Sequence, residues 1–218
     1  MSMRFEDRAE GGRRLAAALP QFRERPDTII LGLARGGVPV AAAAAKELHL
    51  PLGTILVRKL GIPGHDETAF GALAWSDGRI VRALNRPLLA RMLEHGVRRD
   101  WLDQVEARER AELVRRAESY PGISHDLRGK TAVLVDDGLA TGATMRAAVE
   151  AVRAAGAATV IAASPVGSLD AEKSIARVSD FVLCLHLPGK FRAVGSFYRH
   201  FEQLTDDDAI GLLRDSGA

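Results

Sequence analysis

Two kinds of apolar run alternate along the chain, and the contrast between them lays out its elements. Thr28-Ile29-Ile30-Leu31-Gly32-Leu33-Ala34 is short, continuous and β-branched, as a strand buried on both faces of a parallel sheet requires. Arg35-Gly36-Gly37 breaks it, and the alanine-rich stretch 38–48 reads as a helix leading to a second strand at 52–59. That order is a βαβ unit with a right-handed crossover. A second series repeats the logic, with strands at 131–135, 159–163 and 181–187 and helices at 143–155 and 169–178 between them.

The intervening stretch has other patterns. Residues 61–70, with Gly61, Pro63 and Gly64, predict a mobile loop. Apolar segments at 69–74 and 79–84 flank Ser76-Asp77-Gly78 and predict a β-hairpin. Residues 85–119 are helical, with Leu89, Leu93, Val97, Trp101 and Val105 on one stripe and Gly96 dividing the stretch in two. Glu106 with Arg110, and Glu112 with Arg116, are spaced as (i, i+4) pairs on a solvated face. The stripe suits internal packing or a homodimer seam equally. Leu15, Ala18, Leu19 and Phe22 predict a flanking helix near the start, and Phe191, Phe197, Tyr198 and Phe201 enrich the tail in aromatics. The chain has no internal repeat. It reads as one α/β domain over 1–218, a mostly parallel doubly wound sheet with flanking helices. Its core is 28–84 and 130–187, its helical insertion 85–120, and its small hood 1–25 with 188–218.

Composition narrows the function classes. The 218 residues suffice for one buried α/β core. Thirty basic and 28 acidic residues nearly cancel, which gives nucleic-acid binding no support but permits an anionic small ligand in a basic pocket. The single cysteine, Cys184, excludes an intramolecular disulfide and sits in an apolar run as a packing residue. The six histidines lack metal-ligand spacing, which argues against zinc. Residues 1–8 are too polar for a secretory signal, and the patch 15–19 is too short to cross a membrane, so a cytoplasmic protein is expected.

Chemistry concentrates in Val133-Leu134-Val135-Asp136-Asp137-Gly138-Leu139-Ala140-Thr141-Gly142-Ala143-Thr144. An apolar strand ends in two carboxylates, a loop of small and hydroxyl residues follows, and a helix begins. Ligands of α/β sheets bind at the carboxyl ends of strands. The helix start offers unpaired N–H groups and a positive dipole end for a phosphate. Thr141 and Thr144 add hydroxyl donors, and Gly142 lets the backbone come close to the anion. Asp136 and Asp137 would repel that phosphate, so they suit a sugar diol or a Mg²⁺ ion.

This stretch resembles the motif by which type I phosphoribosyltransferases bind 5-phosphoribosyl-1-diphosphate (PRPP). The resemblance implies that Asp136 and Asp137 contact the ribose hydroxyls and that Ala140, Thr141, Gly142, Ala143 and Thr144 hold the 5-phosphate. Leu33-Ala34-Arg35-Gly36-Gly37 occupies the place of the family's pyrophosphate loop, often built on a cis peptide bond. Arg35 supplies charge there, and Gly36 and Gly37 allow close amide approach. Val57-Arg58-Lys59-Leu60-Gly61-Ile62-Pro63-Gly64-His65 occupies the place of a basic strand end leading to a mobile catalytic loop. Arg58 and Lys59 alternate faces on a strand, so at least one is expected to contact pyrophosphate.

The resemblance spans roughly 28–187 and is nearest to a bacterial group of phosphoribosyltransferases with no assigned acceptor. It implies the type I fold, PRPP and a small-molecule acceptor as partners, and Mg²⁺ as cofactor. Phosphoribose would pass to a nitrogen acceptor such as a nucleobase, with closure of 61–70 excluding water. Ala140 stands where 6-oxopurine enzymes carry a third acidic residue, which argues against those bases. Phe191 and Tyr198 are the candidates for stacking on the acceptor. The rival reading is a PRPP sensor without turnover. The intact basic loop at 58–71 favours the enzyme, as does the shortness of the segment before the first strand, too short for a helix-turn-helix.

Overall fold

In a computed structural model, which describes residues 4–62, 65–76, 78–121 and 126–217, the first apolar run forms β1 (Thr28–Leu33) and the alanine-rich stretch α2 (Gly37–Leu48), with α1 (Arg8–Ala17) before them. Next come β2 (Leu52–Ile62), β3 (His65–Ser76), β4 (Arg79–Leu84), α3 (Arg86–Glu94) and α4 (Arg99–Ala117). The second series supplies β5 (Thr131–Val135), α5 (Ala143–Ala154), β6 (Thr159–Val166), α6 (Leu169–Ile175), β7 (Phe181–His186) and α7 (Asp206–Asp215).

Seven strands make one sheet in the order β4-β3-β2-β1-β5-β6-β7. Strands β2, β1, β5, β6 and β7 run parallel, while β3 and β4 join antiparallel at one edge. This is the mixed, mostly parallel α/β architecture expected from the sequence. Alternation along β1 explains its unbroken apolar run. Ile29, Leu31 and Leu33 face α5 and α6, whereas Ile30 faces the layer containing α1, α2, α4 and α7. The chain leaves β1 toward β2 on one side and β5 toward β6 on the other. The sheet therefore has its switch point between β1 and β5, where a crevice opens beyond the strand ends.

Three expectations change. Residues 61–62 and 65–70 are not a loop but the paired ends of β2 and β3, with register shifts between Leu60 and Ile62; Pro63 and Gly64 lie outside the described residues. On α1 the buried face is Gly11, Gly12, Leu15 and Ala16, and Ala18 is exposed. A Cβ at Gly12 would lie 2.2 Å from the Val40 carbonyl oxygen, so glycine lets α1 and α2 touch there and rotates the face. On α4 the Glu106–Arg110 pair forms, but Glu112 pairs with Arg115 and Arg116 turns to Asp206. The helix buries Leu102, Val105, Glu109, Leu113 and Arg116, so two charges lie on its buried face, while Leu89, Leu93, Val97 and Trp101 of the expected stripe are half-buried against the core.

Cys184 is half-buried, and its thiol donates to the His186 carbonyl oxygen at 3.5 Å. Burial pushes its pKa up to about 12, as suits an inert packing residue. Among the described residues no helix is long and apolar enough to cross a membrane.

Candidate active site

A cleft of about 850 Å³ opens at the switch point. The turn after β1 gives it Arg35 and Gly36, the end of β2 gives Arg58 and Lys59, the end of β5 gives Asp136 and Asp137, and α5 gives Thr144. Three segments far apart in sequence thus meet on one surface. Arg58 and Lys59 both line it, although alternation on an ideal strand would send them to opposite faces.

Close packing fixes the turns. The Ala34–Arg35 peptide bond is cis. A Cβ at Gly36 would stand 2.2 Å from Asp137 Oδ2, and one at Gly37 would stand 2.3 Å from the Val135 carbonyl oxygen. Gly37 is therefore needed for the turn after β1 to lie against the backbone of β5, whereas at Gly36 the group displaced would be the Asp137 carboxylate. Gly142 caps α5 at φ 74°, a left-handed conformation that favours glycine. Ala140 lends its carbonyl oxygen to the Ser168 hydroxyl at 2.7 Å. Thr141 and Ala143 line a smaller cavity of about 270 Å³ rather than the main cleft.

The surroundings of the acidic pair resist its charge. Asp136 Oδ1 accepts the Asp137 N–H at 2.9 Å, and Asp137 Oδ2 accepts Arg8 Nε at 2.9 Å. Burial, and then the neighbouring Asp137 charge, hold Asp136 well above the usual carboxylate range, with Lys59 and Arg8 pulling the other way. Burial also raises Asp137, opposed by Arg8. Among the cations of the cleft, Arg35 and Lys59 form no ion pair with any described residue, whereas Arg58 is bound to Glu109.

Sequence reasoning missed several contributors. Arg8, on the first turn of α1, lies 129 positions from its partner Asp137. It also donates to the Glu202 carbonyl oxygen at 3.0 Å and stacks 3.8 Å from the Phe201 ring centroid. The chain around Phe5 pairs with the segment around Tyr198, through Phe5 N to Phe197 O at 2.8 Å and Arg199 N to Phe5 O at 2.9 Å. That tie delivers both Arg8 and Phe201 to the cleft. Phe191 and Tyr198, expected at an acceptor, do not line it. Phe191 stacks on Phe197, and Tyr198 is buried between Phe5 and Phe201 with its hydroxyl on the Asp137 carbonyl oxygen at 2.6 Å. The aromatic that reaches the cleft is Phe201, followed by Glu202, Gln203 and Leu204. Glu109 and Arg116 of α4 were readable in one respect, since charges at the spacing of Val105 and Leu113 on a buried stripe mark buried ion pairs.

The family model described as phosphoribosyl transferase domain matches residues 79–195. A Mycobacterium tuberculosis protein provisionally named phosphoribosyl transferase, found in two strains, is 44% identical over 214 residues. The match takes in 96% of this chain and 46% of the relative, so the chain spans about half the length of the curated relatives it matches. TT1426 from Thermus thermophilus is 37% identical, with 98% of this chain and 99% of that one aligned at a TM-score of 0.79. The AQ2163 protein from Aquifex aeolicus, 12% identical, aligns over 83% of this chain and 74% of its own at a TM-score of 0.51, a likeness of fold alone. The family match covers just over half of the chain and contains the acidic pair with its following loop, and the chain belongs to the phosphoribosyl transferase domain family.

Proposed function

We propose that the cleft binds PRPP with Mg²⁺ and transfers its phosphoribosyl group to a nitrogen acceptor, a nucleobase, with release of pyrophosphate. The observation that carries this reading is the convergence of a half-buried acidic pair with Arg35 and Lys59, two cations that form no ion pair among the described residues, at the switch point of the sheet. A ribose diol needs hydrogen-bond acceptors, and a diphosphate needs cations and close backbone amides. Asp136 and Asp137 serve the first. Arg35, Gly36, Gly37, Arg58 and Lys59 serve the second, and the 5-phosphate rests at residues 140–144 where α5 begins.

As the bond from C1 to the pyrophosphate oxygen breaks, charge grows on the leaving group and the ring becomes oxocarbenium-like. Arg35, Arg58 and Lys59 lie where they stabilise that charge, and donors of this kind each contribute roughly 100-fold or more to a rate. The acceptor nitrogen then bonds C1, and its proton passes to solvent. Phe201 to Leu204 replace Phe191 and Tyr198 as the residues facing it.

Among the described residues no group of three or more His, Cys, Asp or Glu side chains gathers as a metal cage. Asp136 and Asp137 each keep one oxygen outside the hydrogen bonds described, which fits an ion that arrives on substrate phosphates and takes one or two protein carboxylates. When bound, Mg²⁺ would neutralise charge on the diphosphate.

The decisive assay incubates the full chain with PRPP, Mg²⁺ and each nucleobase in turn and measures pyrophosphate release. Release that depends on one base and falls about 100-fold in Lys59→Ala supports the transferase. Binding of PRPP without base-dependent release from any nucleobase would leave a PRPP-binding protein in its place.

A further inference from the structure

The helical insertion contributes more than an apolar stripe, because α4 presents Arg108, Glu109 and Arg116 to the cleft. We propose that Glu109 is a positioning residue for the donor's diphosphate, holding the Arg58 guanidinium so that its remaining N–H groups face the anion. The inference rests on the PRPP reading of the cleft and extends it to an element outside the three segments that supply the PRPP motifs.

Glu109 is buried, and its carboxylate is held from two sides. One oxygen, Oε2, accepts Arg58 Nε at 2.9 Å and lies 2.6 Å from Nη2 in the same ion pair. The other, Oε1, accepts Arg108 Nε at 3.1 Å and lies 3.0 Å from Nη2 in the same ion pair. Arginine carries five N–H donors in a rigid planar fork. Anchoring through Nε and Nη2 leaves the other edge of the Arg58 fork without a hydrogen-bond partner among the described residues, on a side chain that is 34% exposed and lines the cleft.

An unanchored arginine loses rotamer freedom each time it captures an anion, and an anchored one has lost it on folding. Lys59, the neighbouring cation, has no such anchor among the described residues. Glu109 also brings a negative charge toward an anion site, so electrostatics alone would make its removal tighten binding. Anchoring and repulsion have opposite signs, and binding measurements separate them.

The test titrates Mg²⁺-pyrophosphate into the full chain by calorimetry. Glu109→Asp keeps the charge and withdraws the carboxylate by one methylene, and it is expected to weaken binding roughly five- to tenfold. Arg108→Ala, at a side chain 71% exposed, frees the second oxygen and is expected to weaken binding about twofold without threatening the fold. In an Arg58→Ala background Glu109→Asp should not weaken binding further, because the group it positions is gone, and Arg108→Ala should lose only what its own charge at the cleft contributes.

If wild type binds no pyrophosphate, the PRPP reading itself fails. If wild type binds and Glu109→Asp matches it, or if Glu109→Gln binds more tightly, the positioning role is overturned. It is equally overturned if the loss persists in full without Arg58, since that would mark a purely structural role. Should Glu109→Asp not fold, the Arg108→Ala and Arg58→Ala cycle decides alone.

Discussion

A methyl group at Gly37 is expected to cost about 3 kcal/mol of stability, because overpacking against rigid backbone has that scale. For a chain of this size the unfolding midpoint should fall by roughly 6–12 °C, measured by thermal denaturation. The added carbon would stand 2.3 Å from the Val135 carbonyl oxygen and 2.9 Å from Asp136 Cα, and neither can move without displacing β5. One residue earlier the outcome should invert. At Gly36 the methyl meets the Asp137 carboxylate, at 2.2 Å from Oδ2, and a side chain can rotate where a strand cannot. Gly36 has φ −59° and ψ −35°, which alanine adopts freely. Rotation strains the Asp137 bridge to Arg8, so Gly36→Ala should lose about 1–2 kcal/mol, less than Gly37→Ala. Donor binding should fall by about 100-fold, as misplacement by an ångström commonly costs. If Gly36→Ala keeps wild-type PRPP affinity, the turn after β1 and the acidic pair do not act as one site.

Arg8→Met is the second large effect expected. Methionine retains the apolar stem against Phe201 and removes the charge. The Arg8 and Asp137 side chains are 11% and 14% exposed, so the bridge is largely desolvated. Breaking such a pair should cost about 2–3 kcal/mol, less than the upper range because Asp137 escapes by taking up a proton. The pH dependence has a definite sign. Burial already raises Asp137, and loss of Arg8 raises it further. A carboxyl raised in the folded state contributes stability that is complete below its unfolded pKa and lost as pH rises through the folded value. The deficit of Arg8→Met relative to wild type should therefore be larger at pH 8 than at pH 5 in paired thermal melts. An equal deficit at both would mean that Arg8 acts by packing alone.

The parallel strands of the sheet were legible because each buried strand must be apolar on both faces, a local property of runs such as 28–34 and 131–135. The acidic pair and its loop were legible for a similar reason, since strand end, loop and helix start are contiguous. Pairing across the sheet is not local. Gly61, Pro63 and Gly64 have turn composition, and only the partnership of β2 with β3 draws 61–62 and 65–70 into strands. Arg8 meets Asp137 across 129 positions, and Arg58 meets Glu109 across 51. Alternating charges on 106–116 read as a solvated face. The face of α4 that packs on the sheet in fact includes Glu109 and Arg116, and the second of these is tied to Tyr120 and Asp206. Tyr198 and Phe201 are three apart in an aromatic tail, and nothing in that spacing says which of them the pairing with Phe5 turns inward.

The most direct test of the account is a calorimetric titration of PRPP with Mg²⁺ into wild type and into Asp136→Asn/Asp137→Asn. Wild type should show saturable one-site binding that the double variant loses. Asp136→Asn alone serves as the control for folding. Burial and the Asp137 charge raise Asp136 in the folded state, so its ionisation weakens the ligand-free fold at neutral pH. The asparagine variant should accordingly unfold at or above the wild-type midpoint while binding less. Wild type without saturable binding, or a folded double variant that binds PRPP as wild type does, would contradict the account.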